Sequence, residues 1–282
     1  MKVLPMMMVM LTASLPFAPL NRPQTGGLPV RLGVCDWTIG NTGNPAALAL
    51  AGELGLEGVQ VSLTSAGEDL AMKSKSLQKA FQDAARKTGV AITSFAIPEL
   101  NDVPLQSDPR AEKWVGEGID VCKAMGIKII LVPFFGKADL KNNPGGVDSV
   151  IAVLKRLASK AEKAGVVLAL ESTLDAGEHL KIIDGVGSPS VRVYYDVGNS
   201  HDAGYDIYAE IRSLGSRICE FHAKDTKDLY GKGIMDFNAV RRAMEGIRYQ
   251  GWLVLEGTRF PLGVEKSIKY DADYLRLIFK TK

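Results

Sequence analysis

The sequence predicts an α/β fold, a single closed (β/α)8 TIM barrel, and three observations carry that prediction. Eight apolar runs recur after about residue 30, nearly continuous rather than alternating, as parallel strands buried on both faces require. Between them lie stripes of apolar residues at helical spacing, with Lys, Arg, Asp and Glu on the opposite face. A short signature recurs where helices give way to strands, in ELGLEG, KTGV, AMGI and KAGV, and it offers Gly55, Gly89, Gly126 and Gly165 as left-handed helix caps.

Taken in order, the expected strands are Arg31–Cys35, Gly58–Leu63, Val90–Ile97, Ile127–Pro133, Val166–Glu171, Val191–Asp196, Arg217–His222 and Trp252–Glu256. The helical stripes run through Leu77, Phe81 and Ala84, then Val115, Ile119 and Cys122. A third runs through Val147, Val150, Ile151, Leu154, Leu157 and Ala161. The last two pass through Phe237, Val240, Met244 and Ile247, and through Ile268, Ala272, Leu275 and Phe279. A doubly wound open sheet is the rival fold. It would place a Gly-rich phosphate loop after the first strand, and VCDWTIGNTGNP lacks the G-x-G-x-x-G pattern.

Length and composition agree with a barrel of one domain. The 282 residues are 46% hydrophobic and 23% charged, ordinary globular values with ample material for a large core. The formal charge of +2 comes from 34 basic and 32 acidic residues without long blocks of one sign, which argues against nucleic acid as a partner. Cys35, Cys122 and Cys219 share no metal-type spacing and are expected to be buried free thiols. No motif fixes an oligomeric state.

At the start of the chain, Lys2 precedes an uncharged stretch from Val3 to Leu20, followed by the polar NRPQTGG. Pro5, Thr12, Ser14, Pro16 and Pro19 make it a poor bilayer helix, so residues 1–24 are expected to be a signal peptide or N-terminal tail and residues 30–282 the barrel. A signal peptide implies an exported protein, periplasmic or secreted, with no stable membrane insertion after processing. A plain tail would leave the chain cytoplasmic.

The chemistry gathers at strand ends. Glu171 follows VVLAL, Asp196 follows VRVYY, His222 lies in ICEFH and Glu256 follows WLVL. Each of the separations, 25, 26 and 34 residues, is one strand plus its connection, so a parallel repeat brings all four to the carboxyl end of the barrel. Singly, each would pass as a helix cap; together they form a set of three carboxylates and an imidazole. Such a mainly oxygen set suits Mn²⁺ or Mg²⁺, with Co²⁺ or Zn²⁺ as substitutes. A cation there polarises a carbonyl and acidifies the neighbouring C–H, and Glu171 and Glu256 are placed to exchange the proton from opposite faces of a substrate.

The segments ALESTLDAGE, YYDVGNSHDAG, EFHAKDTKDLYGKGIMDF and YQGWLVLEG together resemble the sugar phosphate isomerase/epimerase family, the xylose-isomerase-like barrels that include ketose 3-epimerases and inosose dehydratases. The likeness is best over residues 166 to 260. It implies Glu171, Asp196, His222 and Glu256 as metal ligands, with Glu171 and Glu256 also the catalytic acid/base pair, and a small-molecule sugar as substrate. The epimerases carry a histidine three residues after the aspartate, where this chain has Asn199, with His201 two places on. Asp236-Phe237-Asn238 lacks the histidine of the D-x-H motif that the related apurinic endonucleases need, against a role in DNA repair.

Substrate contacts are expected from Asn199, His201, Lys224, Trp37 and Phe134, with Phe95 and Phe135 near other strand ends. Lys224 either contacts a substrate oxygen or pairs with Asp225. His179, among charged neighbours, reads as a surface histidine, and Arg259 as a solvated arginine. The activity implied is a metal-dependent carbohydrate isomerase or epimerase. A keto-sugar or keto-glycoside lyase or dehydratase would use the same proton abstraction, and a non-catalytic sugar-binding barrel is the alternative outside enzymology. The leader reading has a direct check: sequencing the N-terminus of protein from its native host should find the mature chain beginning beyond Leu20, and a chain that still begins at Met1 would overturn it.

Overall fold

The computed structural model describes Leu28 and residues 30–280; the N-terminal segment discussed above lies outside them. Eight parallel strands close into a barrel: β1 (Arg31–Cys35), β2 (Gly58–Ser62), β3 (Ala91–Ala96), β4 (Ile129–Phe134), β5 (Val167–Ser172), β6 (Val191–Asp196), β7 (Ile218–Ala223) and β8 (Trp252–Leu255). Neighbours follow chain order around the ring, and β8 closes against β1, with Arg31 beside Trp252 and Val34 beside Leu255. All eight expected strands are present, their ends displaced by no more than two residues.

The helices are α1 (Ala46–Glu53), α2 (Lys75–Thr88), α3 (Pro109–Met125), α4 (Pro144–Ala164), α5 (Ala176–Val186), α6 (Val197–Asp202), α7 (Ile207–Leu214), α8 (Phe237–Gly246) and α9 (Val264–Phe279). The five stripes read from the sequence form the packing faces of α2, α3, α4, α8 and α9. Phe81, Val115, Leu154, Val240 and Leu275 among them are fully buried. Of the other four helices, α1 is apolar almost throughout and α6 is a six-residue turn that starts as soon as β6 ends, whereas α5 and α7 do bury an apolar face, through Ile182, Ile183 and Val186 and through Ile207, Ile211 and Leu214, that the sequence reading left out. A two-residue hairpin, Ser65–Ala66 against Asp69–Leu70, is likewise too short to leave a pattern. Gly55, Gly89, Gly126 and Gly165 all take positive φ, between 65° and 79°, so each helix is reversed into its strand by the residue that does so without steric cost.

The core has two parts. The larger lies between strands and helices, and a smaller set including Ala96, Leu131, Ala169 and Tyr194 belongs to the barrel interior. Alternation along each strand sends every second residue inward. Ala169, Tyr194, Glu220 and Val254 therefore share the inward face with the four strand-end residues two places further on. Near the amino-terminal ends, the Trp252 ring lies against β2 and carries the Arg31 guanidinium 3.8 Å from its centroid.

Gly58 is the close approach that makes room for this ring. A β-carbon there would stand 2.4 Å from Thr93 Cγ2 and 2.8 Å from two Trp252 ring atoms. Gly58→Ala should accordingly destabilise the fold by about 1–3 kcal/mol, read as a lowered urea midpoint. Gly145→Ala, in open space near the start of α4, is the control and should leave the midpoint unchanged or raised.

Candidate functional site

The carboxyl ends of β5 to β8 bring Glu171, Asp196, His222 and Glu256 together, with one donor atom from each lying within 4.8 Å of the others. His222 stands at the centre: its Nδ1 is 3.1 Å from Glu171 Oε1 and 3.6 Å from both Asp196 Oδ2 and Glu256 Oε2. Its other ring nitrogen, Nε2, lies 2.8 Å from Gln60 Oε1. A carbonyl oxygen only accepts, so Gln60 places the imidazole N–H at Nε2 and leaves the Nδ1 lone pair facing three carboxylates. That arrangement is repulsive unless a proton or a metal ion stands between them.

A second observation makes the same demand. Asp196 Oδ1 accepts the Asn199 N–H as the cap of α6, whereas the buried Oδ2 has no hydrogen bond. It faces His222 Nδ1 and Lys224 Nζ, each 3.6 Å away, beyond bonding range. A buried polar atom without a partner calls for an explanation; Glu99 Oε2 and Glu220 Oε2 share this condition, but only Asp196 Oδ2 also faces the ligand cluster, where a cation would supply its partner. Three carboxylates and one imidazole around this point fit a divalent ion with oxygen preference.

The charges shift one another strongly. Burial opposes a charge on His222, but Cys35, Glu171, Glu256 and Asp196 together push its pKa well above the ordinary histidine value. Burial would also raise Asp196, yet Lys224 and His222 hold it below the usual carboxylate range. Glu256 goes the other way: burial, reinforced by Glu171 and Asp196, pushes it up to about 7 against the pull of His222 and Lys224. Lys224, despite its own burial, is held charged by Asp196, Glu256 and Glu171.

The two glutamates are fixed differently. Both oxygens of Glu256 accept, one from Trp37 Nε1 at 3.1 Å and one from Lys224 Nζ at 2.9 Å. Glu171 Oε1 accepts from Asn199 Nδ2 at 3.3 Å, and its Oε2 has no hydrogen-bond partner among the described residues. Gly198 lets Lys224 take its place, since a β-carbon there would come within 2.8 Å of the lysine stem. Above the cluster opens a cavity of about 480 Å³ lined by Trp37, Phe135, Glu171, Asn199, Lys224 and Glu256, among others. That volume suits a small organic molecule.

Of the residues expected to contact substrate, Trp37, Asn199 and Lys224 line the cavity, whereas Phe134 and His201 are not among its lining residues. Pro133 is the partner of Glu171 across the β4–β5 ladder and shares its inward face, so Phe134 points outward into the core and Phe135, beyond the strand, turns to the cavity. Phe95 is likewise buried in the core. His201 sits on α6 two residues past Asn199, a rotation of about 200° that carries it to the exposed side near Asp202. Lys224 and Asp225 do not pair: the buried Asp225 instead accepts backbone N–H groups of its own loop. Arg259 donates to the Thr226 carbonyl, away from the cavity.

His179 is a further correction, for it is buried and not on the surface. Its Nε2 is 3.0 Å from Ser172 Oγ and its Nδ1 3.0 Å from the Asp175 carbonyl, and burial lowers its pKa to about 4. The signal was present in the sequence, because Ile182, Ile183 and Val186 lie three, four and seven residues on, which puts His179 on the packed face of α5. Gln60 and Glu220 were missed. Each is a polar residue two places before an inward polar one, Ser62 and His222, and strand parity alone would have directed both into the barrel. Gln60 Nε2 donates to Ser94 Oγ at 2.9 Å, which donates to Glu220 Oε1 at 3.1 Å, so a buried polar chain supports His222 from below.

Comparison with known proteins agrees with this fold. The chain is 27% identical over 199 residues to the 2-epi-5-epi-valiolone 7-phosphate 2-epimerase of an Actinoplanes species, covering 69% of this chain and 72% of that one. Its fold matches the crystal structure of 3-keto-D-glucoside 4-epimerase from E. coli with a TM-score of 0.74 at 17% identity, covering 88% of this chain and 99% of that one. An L-ribulose 3-epimerase superposes with the same score, 0.74, at 17% identity over 89% of this chain and 95% of its own. The family model described as the xylose isomerase-like TIM barrel matches residues 48–278, and the chain belongs to that family.

Proposed function

We propose that this protein is a metal-dependent sugar epimerase or isomerase that moves a proton at the carbon beside a carbonyl. The observation that carries the reading is the cluster itself: four donor atoms within 4.8 Å, two of them from glutamates that line the cavity. The 2-epimerase relative, matched over most of both chains, supports the same class of reaction. One divalent ion, Mn²⁺ or Mg²⁺ by the hardness of the donors, would be held by Glu171, Asp196, His222 and Glu256. It would supply polarisation of the carbonyl and acidity at the adjacent C–H.

The rest is the work of the chain's own groups. Glu171 and Glu256 come from β5 and β8, so a substrate seated between them meets a carboxyl group on each side. One glutamate takes the proton from carbon and the other delivers a proton to the opposite face, which inverts the centre. Trp37 and Lys224 hold Glu256 by both oxygens, and Asn199 steers Glu171 while leaving its second oxygen free to act. Gln60 keeps His222 in the tautomer that offers Nδ1 as a ligand.

Two outcomes test this. Asp196→Asn and His222→Ala should weaken Mn²⁺ binding by roughly 10–100-fold or more in a metal titration, and chelation should abolish turnover of the unaltered protein. Full activity in metal-free protein would end the metal reading. Glu171→Gln and Glu256→Gln should each lose at least about a hundredfold in turnover with metal occupancy restored. The assay is deuterium incorporation from D₂O into a panel of ketoses and 3-keto-glycosides, in which epimer formation and elimination are read separately. Normal exchange in both glutamine variants would refute their assignment as acid and base.

A further inference from the structure

The cavity is chemically divided by the order of the barrel. Its β5–β8 side brings Glu171, Asn199, Lys224 and Glu256. The β1–β4 side brings Trp37, Ala96, Pro98, Leu131, Pro133 and Phe135, an apolar wall. The polar groups on that side, Thr42, Ser62 and Asn101, are all neutral. Lys224 is the one cationic side chain among the described lining residues, and it is already engaged, 2.9 Å from Glu256 Oε2 and 3.6 Å from Asp196 Oδ2. Three carboxylates, one ammonium and one divalent ion sum to zero, so a bound site has no surplus positive charge.

Barrels of this kind commonly seat a phosphate on the loops after the seventh and eighth strands and on a helix N-terminus there. In this chain the donors after β7 are taken by its own carboxylates, and those at the start of α9, which no side chain caps, lie beside one. Asp225, in the loop after β7 and 1% exposed, accepts from the backbone N–H groups of Lys227, Asp228 and Met235 at 2.9, 3.3 and 2.8 Å. Asp236 caps α8, accepting from Asn238 N and Ala239 N at 2.9 and 3.1 Å. After β8, the first turn of α9 carries Glu265. A phosphate dianion entering the cavity would lose its hydration and meet carboxylates where it needs donors. A sugar's C–H face, by contrast, is matched by the indole and phenyl wall, and its hydroxyls by the neutral polar groups.

We propose that the cavity selects an uncharged keto-sugar, free or as a glycoside, over the corresponding phosphate ester, a selectivity that rests on the sugar epimerase reading above. It sets this chain apart from its 2-epimerase relative, whose name carries a 7-phosphate.

The experiment uses the full Mn²⁺-loaded protein and matched pairs: D-fructose with D-fructose 6-phosphate, D-ribulose with D-ribulose 5-phosphate, and methyl 3-keto-glucoside with its 6-phosphate. Binding is read by calorimetry and proton transfer by deuterium incorporation, independently. The neutral member of a pair should bind at least about tenfold more tightly and exchange faster. Tighter binding of the phosphate ester, equal binding of the two, or binding of neither in every pair would each overturn the selectivity. A neutral preference in binding with no deuterium entering any sugar would support it and would end the epimerase reading instead.

Discussion

Three carboxylates whose donor oxygens lie within 4.8 Å of one another repel, and burial in a medium less polar than water sharpens the repulsion. The structure around the site is arranged to keep them there. Lys224 approaches from the rim, His222 sits in the middle, and Gln60 turns the imidazole so that its lone pair looks into the cluster. None of these groups fully neutralises the cluster. The remaining deficit is the physical case for a cation, and it explains why Asp196 keeps a buried oxygen without a donor. The architecture resists the repulsion because each of the four strands pairs with a neighbour on both sides in the closed barrel.

What was legible in the sequence was whatever depended on one strand or one helix at a time. Glu171, Asp196 and Glu256 stand out because each interrupts an apolar run at its carboxyl end, and the βα repeat then dictates that they converge. What was not legible depended on the phase of a residue relative to its neighbours. Phe134 and Phe135 are both aromatic and both at the end of β4, and only the pairing of Pro133 with Glu171 decides which of them faces the cavity. His201 lies off the cavity for the helical counterpart of the same reason. Glu220 and Gln60 look like ordinary polar residues in a strand until the inward parity is counted. His179 was misread from its charged neighbours in sequence when its neighbours on the helix face are isoleucine and valine.

The two halves of the barrel divide the labour. The second half carries the ionisable groups in a short stretch of chain, which is where the family likeness was also clearest. The first half contributes indole, phenyl and proline surface together with Ser62, whose hydroxyl and amide both donate to the buried Asp36. Asp36 also accepts from Gly43 N and so ties the segment carrying Trp37 to β2. Through Trp37 this apparently structural half reaches one of the two glutamates directly. The division is therefore one of chemistry and not of importance.

Asp225 behaves as a ligand that the chain supplies to itself. A carboxylate tethered within ten residues of the amides it binds competes at an effective concentration in the millimolar range or above, with the cost of bringing it there already met by folding. Free anions in solution would have to displace it from a buried seat, against both its local concentration and its desolvated hydrogen bonds. The loop after β7 is in this sense preloaded. Its shape is set by hydrogen bonds within the loop itself and does not depend on a substrate group to supply them.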